Sequence, residues 1–190
     1  MEFDSVVRKR ASVNSFKKKK TSWEDVIEAI DSAIQGPFSG NHNNLHFLIV
    51  EDPETIKQIS KNCQQTWIQQ SGLLIVVCSD ETNLENMYGE RGRVYSRQQA
   101  GAAINTVLLK LTDIGVNSCW VGSYTDELIK QILKIPQHIQ IEAIIPTGFS
   151  AEKSAKPKKK KLESVLFWES WFTTKRPTII KEAKDKLSFE

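Results

Sequence analysis

Four short segments combine charged or hydroxyl groups with a backbone that lets a partner come close: Arg10-Ala11-Ser12, Pro37-Phe38-Ser39-Gly40-Asn41, Trp120-Val121-Gly122-Ser123 and Lys158 to Lys161. The first and last suit an anion such as a phosphate, because an arginine, a serine hydroxyl and lysines donate charge-assisted hydrogen bonds. The middle two carry glycine or asparagine, which allow the backbone to approach a flat ring. No G-x-S-x-G, no G-x-x-x-x-G-K-[ST] and no G-x-G-x-x-G after a strand occurs, so hydrolase and P-loop readings have no support. Glu24-Asp25 is explained by a helix start. Chemistry without an evident protein nucleophile or acid–base pair points to a cofactor. Cys63, Cys78 and Cys119 lack C-x-x-C spacing, and His42, His46 and His138 make no H-x-x-H or H-E-x-x-H pattern. The cysteines read as buried reduced thiols, and no metal site is expected.

The elements that must position these segments follow from periodicity. Trp23, Val26, Ile27, Ile30 and Ile34 share one helical stripe, with Ser22 as N-cap, Asp25 in the capping-box position and Gly36-Pro37 as a left-handed stop. Leu45 to Val50 reads as a strand, and Pro53 opens a helix through about Lys61. Gly72 to Ser79 is apolar on both faces, the pattern of a central strand covered by helices. Asp80 to Arg93 shows no clear period and is expected to be a mobile loop or lid with short helical pieces.

From Ser96 to Thr112 the spacing predicts a helix with Ala100, Ala103, Ile104, Val107, Leu108 and Leu111 on one stripe, extended round by Ala102 and Leu109. A strand over Asn117 to Val121, a helix over Asp126 to Leu133 and a strand over Ile139 to Ile145 complete the alternation. Lys153 to Lys161 is low in complexity and reads as an exposed connection. The aromatics Phe167, Trp168, Trp171 and Phe172 that follow need burial against the chain's own core or a second subunit.

A chain of 190 residues is expected to form one domain over 1–190, with about 173–190 as a C-terminal tail. The longest apolar run is six residues, Leu73 to Cys78, far short of a membrane span. The N-terminus lacks the pattern of a secretory signal, so a cytoplasmic location is expected. The charge of +3 comes from two lysine runs, Lys17 to Lys20 and Lys158 to Lys161; without them 18 basic residues face 23 acidic ones, or −5. Charge so localised argues against a general nucleic-acid surface. The runs leave open a basic nucleic-acid-binding module as the reading from a different class.

The order of segments resembles the FMN-dependent nitroreductase family. The family's opening R-[RH]-S-x-[RK]-x-F is similar to Arg10-Ala11-Ser12-Val13-Asn14-Ser15-Phe16, with Ala11 and Asn14 at two basic positions. Its loop P-S-x-x-N-x-Q-P-W-x-F matches at Pro37, Asn41 and Phe47, with Phe38 for Ser, Asn43 for Gln and Asn44-Leu45 for Pro-Trp. Leu109 to Gly115, Trp120-Val121-Gly122, Gly148-Phe149 and the lysines before Leu162-Glu163 follow in family order.

The resemblance implies an α+β, nitroreductase-like fold: a central, mainly antiparallel sheet flanked by helices, with an extended C-terminal tail, assembled as a homodimer with FMN sites at the interface. It implies that Arg10, Ser12 and Asn14, with Lys158, Lys159 or Lys160, face the FMN phosphate. Pro37, Phe38, Ser39 and Asn41 of the second subunit would border the ring, the N–H groups of Gly122 and Ser123 would face its reactive edge, and Gln65 would supply an amide. The activity implied is ping-pong electron transfer from NADH or NADPH to a small electron-poor acceptor such as a nitro compound or quinone. Reductive dehalogenation or flavin fragmentation on the same fold is the alternative.

Overall fold

The computed structural model describes residues 1–152 and 157–176. They fall into two units, Met1–Ala155 and Lys156–Glu190, and each is described by itself. Residues 153–156 of the expected Lys153 to Lys161 connection and most of the tail, 177–190, lie outside the described residues.

The first unit is built on a four-stranded sheet. Its strands are β1 (Leu45–Val50), β2 (Leu73–Ser79), β3 (Asn117–Ser118) and β4 (Gln140–Gly148), in the order β1-β2-β4-β3. Every pair is antiparallel: Leu45 lies opposite Ser79, Leu73 opposite Thr147, and Ser118 opposite Thr147 from the other side. Around the sheet stand α1 (Phe3–Lys9), α2 (Trp23–Ile34), α3 (Pro53–Asn62), α4 (Thr82–Tyr88), α5 (Glu90–Asp113) and α6 (Asp126–Leu133).

β2 is the spine, and all seven of its residues are buried. Its two faces alternate as a strand must. Leu73, Ile75 and Val77 pack with α2 and α5 residues including Val26, Ala103 and Val107. Leu74, Val76 and Cys78 pack with Ile56 and Ile59 of α3 and Ile129 of α6. Each buried aliphatic side chain contributes about 1.5–3 kcal/mol relative to exposure, so the sheet is held from both sides. The expected central strand and α+β architecture are present.

Four expectations need correction. The α2 stripe is rotated: Val26, Ala29 and Ala33 are buried, whereas Trp23, Ile27 and Ile34 are 51%, 47% and 41% exposed. Small side chains face inward because α2 lies close against α5, and the large ones point out. Gly36 does not adopt the left-handed conformation, which occurs instead at Gly40, Gly89 and Gly115. Asp80 to Arg93 is helical: α4 begins where the Asp80 carboxylate accepts the Thr82 N–H, and Gly89, at φ 58°, breaks it from α5. α4 rests on α5 at Gly92, which explains why no separate apolar period marks it. Finally, β3 is two residues long, with Val121 rejoining the sheet through an isolated bridge to Ile144.

The α5 stripe itself is as expected, with Ala100, Ala103, Ile104, Val107, Leu108 and Leu111 buried, although Ala102 is exposed. In the second unit Phe167, Trp171 and Phe172 pack together, with ring centroids 4.8 to 6.5 Å apart. Among the described residues no helix is long and apolar enough to cross a membrane.

Candidate functional site

The segment after α1 is pinned along the sheet edge by its alternate residues. Val13 and Phe16 are buried, the Val13 N–H donates to Ser118 O at 3.1 Å and the Lys17 N–H to Phe149 O at 2.8 Å. Ser12 bridges Ser118 in parallel fashion, and Phe16 bridges Ser150. The Phe16 ring occupies the space above Gly148, where a Cβ would lie 2.6 Å from a ring carbon. The Gly148 of one sequence motif is thus the seat for the Phe16 of another. Between these anchors Ser12 and Asn14 are left exposed and Arg10 half-buried. Arg10 pairs with no carboxylate among the described residues.

The same edge continues through Cys119 to Ser123. The Cys119 N–H donates to Pro146 O, and Val121 and Ile144 exchange N–H to C=O bonds at 2.9 and 3.0 Å. Past that bridge the chain leaves the sheet, so Gly122 and Ser123 are exposed, and among the described residues their N–H groups have no acceptor. Burial raises the Cys119 thiol, while the Ser12 hydroxyl and the Arg10 charge oppose the shift. The bridge to Ser118 sets Ser12 beside the residue before Cys119, and Gly122 and Ser123 follow three and four residues after Cys119. Trp120 is 42% exposed, and a Cβ added at Gly101 or Gly122 would lie 3.9 Å from its ring. This edge offers the Ser12 hydroxyl, a guanidinium with no carboxylate partner and two backbone donors with no acceptor among the described residues, which is a donor set for an anion or a polarised acceptor group.

The Pro37 to Asn44 loop is held elsewhere on α5. Gly40 and Asn41 are successive left-handed residues, φ 59° and 56°. Beneath them the Gln99 side chain accepts the Ser39 N–H at 3.1 Å and donates to His42 O at 3.2 Å and to Asn44 Oδ1. The Asn44 amide donates in turn to Asp80 O and Ser96 Oγ, both at 2.9 Å. Gln99, Asn44 and Ser96 are all buried. Above the loop, Gly40 lies against Tyr88 and Met87 of α4. Asn44, read in the sequence as a departure from a family pattern, is the hub of this network. Gln99 and Ser96 were missed, although two polar residues three apart, in register with a buried stripe, are the signal that would find them.

Arg10, Ser12, Gly122 and Ser123 are thus brought to one edge, with Asn14 on the same segment. Pro37, Phe38, Ser39 and Asn41 form a second rigid feature, and no hydrogen bond joins it to that edge within the described chain. Gln65 follows the left-handed Gln64 at the end of α3, where its backbone pairs with Ser60 while its side-chain amide has no partner among the described residues. Lys158, Lys159 and Lys160 belong to the second unit and are exposed. Among the described residues no cluster of three metal-ligating side chains occurs.

The Nitroreductase family model matches residues 59–149. A protein of Archaeoglobus fulgidus provisionally named an NADH dehydrogenase/NAD(P)H nitroreductase is 26% identical over 149 residues, 76% of this chain and 83% of that one. The iodotyrosine deiodinase of Thermotoga neapolitana is 24% identical over 182 residues, 87% of this chain and 97% of that one. Among solved structures, an FMN-dependent nitroreductase of Clostridium difficile R20291 superposes with a TM-score of 0.74 at 20% identity, covering 87% of this chain and 98% of that one. The antiparallel sheet with its helical layers is accordingly a nitroreductase-like α+β fold. Residues 59–149 of the chain thus match the nitroreductase family's sequence pattern, within a fold shared with solved nitroreductases.

Proposed function

We propose that this protein is an FMN-dependent oxidoreductase that carries electrons from NADH or NADPH to a small electron-poor acceptor. The observation that supports the reading is that the Arg10 to Ser12 segment, bridged to Ser118, lies along the same sheet edge from which Gly122 and Ser123 emerge with free N–H groups among the described residues. That donor set fits a phosphate at one end and the polar atoms of a flat ring at the other. The names of the A. fulgidus and C. difficile relatives, which print NAD(P)H and FMN, support the same cofactors.

In this reading Arg10, Ser12 and Asn14 hold the phosphate, and the family likeness calls for a further cation from Lys158, Lys159 or Lys160. Gln65 turns its amide to the ring. A homodimer brings Pro37, Phe38, Ser39 and Asn41 of the second copy over the ring, which agrees with the lack of any hydrogen bond from that loop to the phosphate edge among the described residues. Bound there, FMN supplies reversible two-electron chemistry. Gly122 and Ser123 donate to the edge where negative charge builds, and preorganised donors of this kind require no rearrangement as it does so. The chain's part is positioning and electrostatics, with no protein nucleophile. For a nitro acceptor the balance is one NADH and one proton consumed, with nitroso product, NAD⁺ and water released. Donor and acceptor occupy the same place in turn, a ping-pong order.

The purified protein should be yellow, carry one FMN per chain, and bleach anaerobically with NADH or NADPH. A colourless protein that ignores added FMN would sink the proposal. Arg10→Ala should weaken FMN binding by roughly tenfold or more, since a hydrogen bond to a charged group is worth about 1.5–3 kcal/mol. Flavin fluorescence titration measures this. A second reading, reductive dehalogenation of a halophenol, is favoured by the likeness to the deiodinase along nearly all of that protein's length. Halide release from an iodophenol, driven by chemically reduced protein, separates the two.

A further inference from the structure

The junction of α4 and α5 displays groups that the fold does not consume. Tyr88 and Tyr95 meet edge to face, with centroids 5.3 Å apart and planes at 82°. The Arg91 guanidinium stands 5.6 Å from the Tyr95 ring centre. The other arginines of this helix are committed: Arg93 to Glu85 at 2.7 Å, and Arg97 to Glu81 at 3.2 Å and to Glu142. Arg91 is exposed and has no carboxylate partner among the described residues. Tyr88 is 39% exposed.

Position gives these groups their meaning. A Cβ on Gly40 would lie 2.7 Å from the Tyr88 hydroxyl, so the aromatic pair abuts the Pro37 to Asn41 loop. Gln99 and Asn44 fix that loop from below. Under the flavin reading the loop borders the ring, and Tyr88 with Tyr95 then continues that border outward.

We propose that Tyr88, Tyr95 and Arg91 form the acceptor-selecting surface of the site and favour flat, aromatic acceptors that carry a negative charge, such as a carboxylate or phenolate. This rests on the flavin reading and deepens it. Tyrosine rings favour an aromatic partner through edge and face contacts. A guanidinium beside a ring donates two parallel hydrogen bonds to a planar anion, a geometry an ammonium cannot match. Because Arg91 is exposed, water and salt screen it, and the charge preference should be modest, about fivefold in affinity.

Two matched pairs of small molecules test this on the FMN-loaded protein: benzoate against benzamide by calorimetric binding, and 4-nitrobenzoate against 4-nitrobenzamide by kcat/KM. The carboxylates should be preferred about fivefold, and Arg91→Glu should reverse the order. Lys61→Glu, the same charge change on α3, should leave the order as it was. Equal treatment of the pairs by a flavoprotein that NADH reduces overturns the acceptor assignment alone, as does a preference that survives in Arg91→Glu. A protein that takes up no FMN and is not reduced overturns the flavin reading, and this assignment with it.

Discussion

At the scale of single residues, Gln99 bears the most consequence for its size. One amide accepts the Ser39 N–H and donates to His42 O and Asn44 Oδ1, so it replaces water for two backbone groups and a neighbouring amide. Gln99→Leu keeps the volume but strands those partners in a buried setting, a loss of about 1–3 kcal/mol. The urea midpoint should fall, and the loop should lose its fixed geometry, which amide exchange at Ser39 would report as faster. An unchanged midpoint would remove Gln99 from the network.

The thiols make a second point at this scale. Burial pushes Cys63 up to about 11, and burial, with Glu142 as the next cause, pushes Cys78 up to about 12, against an ordinary value of 9.0. The native thiols stay protonated where unfolded ones have already lost their protons. The unfolded state therefore binds fewer protons above pH 9, and stability falls as pH rises through the window up to the native values. Full stability is present below about pH 9. Urea midpoints compared between pH about 8 and about 10.5 should decline, and a Cys63→Ala, Cys78→Ala double variant should show a shallower decline. At neutral pH neither thiol should react with a disulfide reagent in the native protein.

At the scale of elements, the contact of α4 with α5 depends on one glycine. A Cβ at Gly92 would lie 2.1 Å from the Leu84 carbonyl oxygen, and backbone cannot swing aside as a side chain can. Gly92→Ala should cost roughly 1–3 kcal/mol or more, the range for overpacking, and should displace α4 from Gly40. Denaturant unfolding measures the first effect. If Tyr88 belongs to the acceptor surface, the charge preference between nitrobenzoate and nitrobenzamide should shrink in the same variant.

At the scale of the whole molecule, the exposed apolar side of α2 calls for a covering partner. Trp23, Ile27 and Ile34 lie on one side of a helix whose opposite side is buried. Such a surface suits burial against a second copy, and the homodimer proposed above would supply it. Ile27→Glu should shift the mass measured by light scattering from dimer towards monomer and lower FMN content together, because in the proposed dimer the site draws on both chains. A monomer that keeps its full flavin would separate assembly from cofactor binding.

Much of this was legible in the chain itself. The unbroken apolar run of β2, the α5 stripe, the capping Ser22 and the helix-opening Pro53 announce themselves because local periodicity and capping chemistry act over a few residues. The order of Arg10, Ser12, Trp120, Gly122 and Gly148 carried the family likeness for the same reason: each motif is local. Three things were decided only by tertiary contact. Which side of α2 is buried depended on how closely α5 approaches, so small residues won over large ones. Asp80 to Arg93 became helical because α4 is stabilised by packing on α5 at Gly92, an interaction absent from its own period. The hub at Asn44 and Gln99 arises from residues 55 apart, and no spacing rule links a loop amide to a helix amide before the fold brings them together.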